Sequence, residues 1–448
     1  MIKTRFAPSP TGLLHLGNVR AALFSCLYAT KSKGSFLLRI EDTDAARSTK
    51  EFVEHLKDDL NWLGITWQEE FHQSERQEIY HQYYQQLEKE GLAFPCFCTE
   101  QELALTRKLQ LSRKQAPRYA GTCRKLTSDE IQKKLDQGLK PALRFHMPPK
   151  TNIEFVDYVK GPQKFNSDDI GDFIIRRADG SASFMFCSVV DDSLMGVTHV
   201  MRGEDHLTNT PRQLMILKAL NLRAPEYGHL SLIVGADGSP LSKRHGSSSL
   251  HDLRERGFLA KAVLNYLSRL GHATDNQKLS TFSELAEDFQ LDKLSRSPAR
   301  FDESQLMFWQ KQAVLALDDK ELKEWLGNST QSDLFLNVIR QNALFPKDAE
   351  KWSAIFFNHL ELSEENKEFL KTVPKNFFAE WLSAIDSSDS LDEILKTLKT
   401  KLNLSGKNLF MPIRITLTGE THGPELAQIV ALLGQDKIRE RINYAKNL

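Results

Sequence analysis

The sequence predicts an α/β fold in its first part and an almost wholly helical fold in its last part. The alternating segment "IKTRFA" precedes a loop rich in proline and glycine, and from Val19 onward apolar residues recur at helical spacing. A second strand, "SFLLRI" at 35–40, and a third that ends near Met201 are each followed by charged residues. From about residue 311 the apolar pattern is helical nearly throughout.

The loop between the first strand and the first helix, "APSPTGLLHLGN" at 7–18, raises the first functional question. His15, Gly17 and Asn18 stand at the predicted helix entrance, where unpaired N–H groups and a partial positive charge suit a phosphate. Gly17 would let a nucleotide approach the backbone, and the imidazole of His15 could donate to phosphate oxygens. The pattern fits a nucleotide site, and it also fits a plain connection.

Charged residues at the carboxyl ends of the predicted strands indicate a binding pocket. Glu41 follows the second strand and Arg202 follows the third, and Arg5 lies in the first. Ligands of open α/β sheets bind at this edge, so the three side chains would surround a zwitterion; a surface acidic turn is the alternative for Glu41. After Arg202 we expect a helix with Thr210 as its cap and Pro211 in its first turn.

A loop further along, "DGSPLSKRHG" at 237–246, carries two adjacent cations. Lys243 and Arg244 could reach a polyphosphate, or they could simply face water.

Length, composition and charge limit the classes of protein to which this chain can belong. A chain of 448 residues should form two to four domains, and no apolar run approaches the length of a membrane span. Five cysteines and a first segment that reads as a strand suggest a reducing cytoplasm without export. Formal net charge is zero, but residues 101–150 hold twelve Lys or Arg against four Asp or Glu. This basic segment is either an RNA-binding face or a solvated one.

Three of the five cysteines lie close together in sequence. Cys96, Cys98 and Cys123 have the C-x-C spacing and distant third thiol that suit tetrahedral zinc, although a fourth ligand is needed. The alternative is a set of spare buried thiols. Cys26 and Cys187 fall on apolar-periodic segments and are expected in the core.

Four motifs occur in order between residues 15 and 246: "HLGN", "RIEDTD", "VVDD…THVMRGEDHLTNTPRQ" and "LSKRHG". Together they strongly resemble those of the class I aminoacyl-tRNA synthetases, and among these the bacterial glutamyl-tRNA synthetases. "HLGN" looks like the His-Ile-Gly-His signature of that class, and "PLSKR" looks like its Lys-Met-Ser-Lys-Ser loop. "LFMPIRITLTGETHGPELAQIVALLG" resembles the last helical domain of the same family, so the likeness covers nearly the whole chain.

The resemblance implies an architecture: a Rossmann-type catalytic domain with an inserted acceptor-binding domain, followed by all-α C-terminal anticodon-binding domains. The expected divisions are two halves of the catalytic domain at 1–96 and 186–225, the insertion at 97–185, a stem-contact domain at 226–310, and anticodon-binding domains at 311–375 and 376–448.

The resemblance also implies an activity, in which glutamate is activated with ATP to glutamyl-adenylate and transferred to the 3'-terminal ribose of tRNA. The residues implied at the glutamate site are Arg5, Ala7, Ser9, Glu41, Phe184 and Arg202, with Glu41 taking the α-amino group. Those implied at the ATP site are His15, Gly17, Asn18, Asp205, Leu241, Ser242, Lys243 and Arg244, and the catalytic ones among them are His15, Asn18 and Lys243.

Cofactors and partners follow from the same resemblance. Mg²⁺ would arrive with ATP, and a structural Zn²⁺ would be bound by the three cysteines and Tyr119, which matches the tyrosine used by some related proteins. The partners would be ATP, L-glutamate and tRNA, with no membrane, and the protein would be a cytoplasmic monomer.

Departures from the family pattern keep alternatives open. Pro240 replaces the first lysine of the signature loop, Phe184 and Met185 replace a tyrosine and an asparagine, and Glu420 stands where a basic residue is common. One alternative is a glutaminyl-tRNA synthetase, which would have a β-barrel distal region. Another is a truncated relative that glutamylates a modified base, which would lack the C-terminal region.

A third alternative is a non-catalytic RNA-binding paralogue. Pro240 and Phe184 suggest it, although the intact His15, Lys243, Glu41 and Arg202 argue against it. Which tRNA is charged, for glutamate, for glutamine or both, does not follow from the sequence.

Overall fold

The computed structural model describes residues 1–44, 47–241, 249–327 and 332–448. These residues form two compact units. The first comprises Met1–Glu255 and Ala260–Trp309, and the second comprises Arg256–Leu259 and Gln310–Leu448. None of the helices in the described ranges combines the length and the apolar character needed to cross a membrane.

The first unit is built on parallel strands. Strands β1 (Lys3–Phe6), β2 (Ser35–Ile40) and β3 (Glu69–His72) pair in parallel in that order, and β2 has the bounds that the sequence predicts. Helix α1 (Leu16–Lys31) connects β1 to β2, and α2 (Lys50–Trp62) connects β2 to β3. Eleven of the sixteen residues of α1 are buried, including Cys26, so α1 is a core helix, in line with its apolar sequence.

A second parallel pair continues this arrangement. Strand β9 (His199–Gly203) pairs with β10 (Glu226–Leu230) so that Arg202 lies opposite His229. Strand β9 lies beside β1: the N–H of Thr198, the residue before β9, donates to the Lys3 carbonyl over 2.8 Å, and Arg5 Nη1 of β1 donates to the Met201 carbonyl of β9 over 3.5 Å. The carboxyl ends of β1, β2 and β9 therefore meet at one edge, where ligands of α/β sheets bind.

The helix after β9 differs from its prediction at one position. Helix α8 begins at Thr210, and Asn209 rather than Thr210 occupies its N-cap, while Pro211 lies in the first turn as predicted. Thr210 is fully buried, and its hydroxyl accepts a hydrogen bond from Arg202 over 2.8 Å. A residue typical of caps is thus used here in a tertiary hydrogen bond, because the buried guanidinium needs an acceptor.

Between β3 and β9 the chain forms a mainly antiparallel segment. Strands β4 (Ala93–Cys96), β5 (Ala142–Phe145) and β8 (Phe173–Arg176) form one sheet, and β6 (Asn152–Asp157) and β7 (Gly161–Asn166) form a hairpin. The helices of this part are α3 (Gln77–Lys89), α4 (Glu100–Ser112), α5 (Ser128–Asp136), α6 (Ser167–Ile170) and α7 (Phe184–Leu194), and a 3₁₀ turn lies at Gln73–Arg76. A further 3₁₀ turn, Glu204–Asn209, joins β9 to α8. Helix α7 buries Cys187, Asp191 and Asp192.

The rest of the first unit follows α8 (Thr210–Ala219). Strands β11 (Ile233–Val234) and β12 (Ala299–Arg300) pair in parallel. The intervening helices are α9 (Leu250–Glu255), α10 (Ala260–Arg269) and α11 (Phe282–Asp288), with a 3₁₀ turn at Leu291–Lys293. Helix α12 (Glu303–Leu315) follows β12.

The second unit is helical, and its described residues from 310 onward contain no strand. Its helices after α12 are α13 (Asp319–Leu326), α14 (Asp333–Arg340), α15 (Pro346–Phe357), α16 (Glu364–Lys371), α17 (Phe377–Ser387), α18 (Leu391–Leu402), α19 (Lys407–Thr418) and α20 (Leu426–Lys446), the last broken at Gly434. Aromatic residues belong to its core: Phe335, Phe356 and Trp381 are buried, and Trp325 packs against this core.

We predict that Phe335→Ala lowers the free energy of unfolding of the second unit by about 3–5 kcal/mol, because a completely buried ring leaves a cavity. The adjacent Leu334 is 41% exposed on the same helix and serves as the matched control, since Leu334→Ala should change stability little. Denaturant unfolding of the full chain, followed by tryptophan fluorescence, measures both. Equal effects of the two substitutions would contradict this account of the core.

Candidate active site

The entrance of α1 is organised by His15. This residue occupies the N-cap position, and its Nδ1 accepts a hydrogen bond from the Asn18 backbone N–H over 3.3 Å. Partial removal of the imidazole from water lowers the pKa of His15, and the negative charge of Asp205 opposes this shift. The residue nevertheless keeps an exposed surface that a ligand can reach. A neutral ring whose Nδ1 accepts carries its proton on Nε2, so His15 can donate a hydrogen bond to a ligand.

Gly17 allows this arrangement. A Cβ at position 17 would lie 3.0 Å from Nδ1 of His15, which is tighter than ordinary van der Waals contact. The absence of a side chain therefore leaves room for the imidazole against the first turn of α1.

A buried charged cluster lies at the carboxyl ends of β1 and β2. Its centre is Arg39, which has no solvent exposure and bridges two carboxylates. Nη1 of Arg39 is 2.6 Å from Asp192 Oδ1, and Nη2 is 3.0 Å from Glu41 Oε1. Arg5 shares the same Asp192 oxygen at 3.3 Å from its Nε. The cluster thus holds two guanidinium groups and two carboxylates out of water.

The electrostatics of this cluster favour a bound cation beside Glu41. Burial raises the pKa of Glu41, while Arg39 and Arg5 act in the opposite direction. Burial also raises the pKa of Asp192, but Arg39 and Arg5 outweigh this and hold it below its usual value. Glu41 is therefore the carboxylate with less compensation, and an ammonium group of a ligand would stabilise its charge.

Arg202 at the end of β9 is the second centre of the site. Its Nη2 donates to Thr210 Oγ1 over 2.8 Å and to Gln213 Oε1 over 2.6 Å, and its Nε donates to His229 Nε2 over 3.1 Å. Burial lowers the pKa of Arg202 to about 10, which still leaves it charged at neutral pH. Within the described part of the chain, Nη1 of Arg202 makes no hydrogen bond, so this nitrogen is available to a ligand.

The other residues predicted for the substrate site lie around these two centres. Ala7 is half-buried and Ser9 exposed in the loop after β1, and the Glu41 N–H donates to the Pro8 carbonyl over 2.9 Å, which ties this loop to the end of β2. Phe184, in the first turn of α7, packs its ring 5.3 Å from that of His206.

Residues predicted for ATP are only partly covered by the structure. Asp205 is exposed in the turn after β9, and the Leu241 N–H donates to the Ile233 carbonyl over 3.0 Å. The predicted residues Ser242, Lys243 and Arg244 lie outside the described ranges.

The predicted metal ligands are brought together by the structure. The sulfur atoms of Cys96, Cys98 and Cys123 lie within 4.8 Å of one another. The hydroxyl oxygen of Tyr119 lies 3.5 Å from Cys96 Sγ and 3.7 Å from Cys98 Sγ. Burial raises the pKa of Cys96, but its hydrogen bonds with Tyr119 and Arg144 outweigh it and the net shift is downward. At Cys98, by contrast, burial raises the pKa to about 12.

Sequence reasoning missed four residues that the structure places behind the site: Arg39, Asp192, His229 and Asp157. A signal existed for Arg39, since an arginine inside the apolar strand "SFLLRI" needs a buried carboxylate. The quoted "VVDD" contained that carboxylate, Asp192, without assigning it a role. No local pattern pointed to His229 or Asp157.

Parallel strands, a helix entrance suited to phosphate and buried charges at one edge define an α/β protein whose site suits a charged small ligand. Comparison with known proteins gives the family. Residues 1–308 match the catalytic domain of tRNA synthetases class I (E and Q), and residues 315–446 match an anticodon binding domain. The chain belongs to the class I tRNA synthetases (E and Q), which confirms the predicted family and fold class.

Named relatives match over nearly the full length. The chain is 50% identical to "Glutamate--tRNA ligase 2" of Coxiella burnetii, over 99% of this chain and 100% of the relative. It is 49% identical to "Glutamate--tRNA ligase 1" of Methylococcus capsulatus, over 98% of each. A glutamate tRNA ligase from Elizabethkingia meningosepticum, solved in complex with its amino acid, superposes with a TM-score of 0.89 at 29% identity, over 100% of this chain and 99% of that one.

We predict that Arg39→Met lowers the free energy of unfolding of the first unit by about 3–5 kcal/mol, because Asp192 and Glu41 remain buried with less compensation. Arg39→Lys, which keeps the charge, should lose less. Denaturant unfolding of the full chain measures the change. The control is Lys164→Met, which breaks an ion pair whose side chains are 67% and 60% exposed, and should have little effect. Wild-type stability of Arg39→Met would show that the cluster does not depend on this guanidinium.

Proposed function

We propose that the protein is a glutamate–tRNA ligase, which activates glutamate with ATP to glutamyl-adenylate and transfers the glutamyl group to the 3'-terminal ribose of tRNA. The observation that carries the proposal is the pocket edge where Arg5, Arg202 and Glu41 lie on neighbouring strand ends. Two guanidinium groups and one carboxylate complement an amino acid that has two carboxylates and one ammonium group. The names of the full-length relatives support the same substrate.

Within this proposal, glutamate is held by charge complementarity. Arg202 pairs with a substrate carboxylate through its available Nη1, Arg5 contributes a second cation, and Glu41 takes the α-ammonium group. Ala7, Ser9 and Phe184 line the pocket. Phe184 supplies no hydroxyl, so hydrogen-bond selection at that point is weaker than a tyrosine would give.

The ATP roles follow from the entrance of α1. His15 donates from Nε2 to the phosphates, Asn18 contacts them at the helix N-terminus, and Gly17 allows close approach. The predicted ATP set is completed by Asp205, Leu241, Ser242, Lys243 and Arg244. ATP brings Mg²⁺, which supplies further compensation of phosphate charge.

The chemistry needs positioning and charge stabilisation rather than a protein nucleophile. A carboxylate oxygen of glutamate forms a bond to the α-phosphorus of ATP, and the bond from that phosphorus to the departing pyrophosphate breaks. The terminal ribose hydroxyl of tRNA then attacks the acyl carbon, and AMP leaves. Lys243 stabilises the charge that develops as pyrophosphate departs.

The remaining parts of the proposal concern tRNA and organisation. The basic segment of residues 101–150 would grip the acceptor end, and the second unit, which matches an anticodon binding domain, would contact the anticodon. The six-part division of the chain, the monomeric state and the cytoplasmic location stay predictions.

The second unit argues against two of the alternative functions. A glutaminyl-tRNA synthetase would show strands there, whereas the described residues from 310 onward are helical. The match of residues 315–446 to an anticodon binding domain is not expected of a truncated, base-modifying relative. A non-catalytic paralogue is the alternative that only an activity measurement tests.

That measurement is glutamate-dependent exchange of pyrophosphate into ATP in the presence of tRNA, followed by charging of separately purified tRNAs for glutamate and for glutamine. Exchange and charging are expected with the wild-type protein. Their absence with both tRNAs would refute the proposed function and favour the paralogue.

We predict that Lys243→Ala lowers the rate of glutamyl-adenylate formation by about 100-fold or more and leaves tRNA affinity nearly unchanged, because the ammonium acts on charge present mainly in the transition state. Single-turnover exchange and tRNA binding are measured side by side. Lys89→Ala, at an exposed lysine of α3, serves as the control and should keep both properties. Equal losses in activation and tRNA binding would contradict the role of Lys243.

Zinc at the cysteine cluster is a second part of the proposal. Three sulfur atoms and the Tyr119 oxygen converge within a small volume, and soft thiolates suit Zn²⁺. The metal would be structural: Cys96 is the last residue of β4, Cys98 follows it after Phe97, and Cys123 lies beyond α4. A bound ion would thus join the end of β4 to the basic segment that contains Tyr119 and Cys123.

We predict about one zinc per purified chain by elemental analysis. Cys98→Ser should lower the thermal stability and tRNA charging, with a smaller effect on ATP binding, whereas Cys26→Ala, in the core of α1, should keep the zinc. Tyr119→Phe tests the fourth ligand: unchanged zinc affinity in this variant would make Tyr119 a neighbour only. Zinc-free wild type after careful preparation would leave the cysteines as spare thiols.

A further inference from the structure

The tip of the β6–β7 hairpin, Asp157–Gly161, inserts against the strands that carry Arg202. The Tyr158 N–H donates to the Tyr227 carbonyl over 3.0 Å, and the Tyr158 hydroxyl donates to the Val200 carbonyl over 3.2 Å. The ring of Tyr158 occupies the space beside Gly228, where a Cβ would fall 1.9 Å from a ring carbon. The hairpin tip therefore packs directly against β9 and β10.

Asp157, the last residue of β6, is buried and saturated with hydrogen bonds. Its carboxylate accepts from the backbone N–H groups of Val159 and Lys160 over 2.9 and 2.8 Å, and from the His229 backbone N–H over 3.2 Å. Its Oδ2 lies 2.5 Å from Nδ1 of His229. Burial raises the pKa of Asp157, but His229 and the backbone donors outweigh it, so the group is a carboxylate that accepts the Nδ1 proton.

His229 links Asp157 to Arg202 by hydrogen bonds at its two ring nitrogens. The imidazole has no solvent exposure, and burial holds its pKa below the usual value, so the ring is neutral near pH 7. With the ring proton on Nδ1 and directed at Asp157, Nε2 is an acceptor. This acceptor receives the Nε–H of Arg202 over 3.1 Å.

The guanidinium of Arg202 is thereby held along one edge. Nε is bound by His229, and Nη2 is bound by Thr210 and Gln213. The ring of Tyr227 lies 5.1 Å from Cζ of Arg202 and covers one face. Nη1, which forms no hydrogen bond within the described ranges, is left as the nitrogen that a substrate carboxylate can reach.

We propose that Asp157 and His229 are positioning residues that fix the orientation of Arg202 for a substrate carboxylate, so that the β6–β7 hairpin completes the amino-acid site. This inference rests on the proposed function, in which Arg202 binds glutamate. Asp157 selects the His229 tautomer, the tautomer supplies an acceptor to Arg202, and the fixed guanidinium presents Nη1 to the ligand.

Asp157→Asn is the isosteric test of this chain of hydrogen bonds. Its amide oxygen can replace the carboxylate oxygen that accepts from Val159 and Lys160, which places the amide NH₂ opposite Nδ1 of His229. His229 would then carry its proton on Nε2, and two donors would face each other at Arg202 Nε.

The expected result is a rise in the KM for glutamate of about tenfold or more, with the KM for ATP changed less than about twofold. Pyrophosphate exchange with tRNA present measures both. Glu154→Gln, on the same strand, removes a charge from an exposed pair with Lys164 and is the matched control, expected to behave as wild type. A wild-type glutamate KM in Asp157→Asn would overturn the inference.

A rescue separates positioning from general structural support. A glutamine at position 229 can offer an amide oxygen to Arg202 without help from Asp157. The double variant Asp157→Asn/His229→Gln should therefore regain part of the glutamate affinity lost in Asp157→Asn, and a further loss in the double variant would contradict the tautomer argument.

A second comparison does not depend on the stability of Asp157→Asn. His229→Gln should have a lower KM for glutamate than His229→Leu, which offers no acceptor, and equal KM values would overturn the inference. The activity of the wild-type protein distinguishes failure of the proposed function from failure of the positioning role. Absence of glutamate-dependent exchange in wild type refutes the proposed function, whereas active wild type with unaffected variants refutes only the positioning role.

Discussion

Burial of the Arg39 guanidinium is the constraint on which the carboxyl edge of the parallel sheet depends. A charge inside a strand covered on both faces must be compensated nearby, and the compensation comes from two different elements: Glu41 at the end of β2 and Asp192 on α7. Asp192 also receives Arg5 from β1. The positions of β1, β2 and α7 are therefore coupled by charge, because moving any one of them would leave a buried ion unpaired.

Around this edge, the side chain furthest from the pocket has all its hydrogen-bonding atoms occupied, and those nearest to the pocket do not. Asp157, furthest back, has its oxygens filled by backbone and imidazole donors, whereas Arg202 keeps one nitrogen unused among the described residues. Side chains that are already fixed lose little conformational freedom when a ligand arrives, so more of the electrostatic attraction remains as affinity. The same difference holds at α1, where Asn18 occupies one nitrogen of His15 and leaves the other to a ligand.

The parts of this arrangement that the sequence predicted are those encoded locally. The apolar run "SFLLRI" defines β2, helical spacing defines α1 and the second unit, and the C-x-C spacing brought attention to the cysteine cluster. Contacts set by sheet register were not predictable: His229 meets Asp157 across 72 residues, because β10 pairs with β9 and the hairpin inserts beside both. Thr210 shows the converse: its sequence predicted a local role as a helix cap, but Asn209 holds the N-cap position without a side-chain cap hydrogen bond, and the Thr210 hydroxyl binds Arg202 instead.

The contact of Tyr158 with Gly228 has a consequence for how this protein can be rebuilt or can diverge. Antiparallel segments inserted into parallel sheets are often regarded as exchangeable modules, joined to their host through two short crossings. Here the tip Asp157–Gly161 is held by the host strands themselves, through the glycine at position 228 and the buried aspartate. A chimaera that takes the inserted segment from a relative can keep an intact pocket only if the hairpin tip fits the residue at position 228 of the host strand. The tip and this glycine must therefore be exchanged together, although the glycine lies outside the insertion.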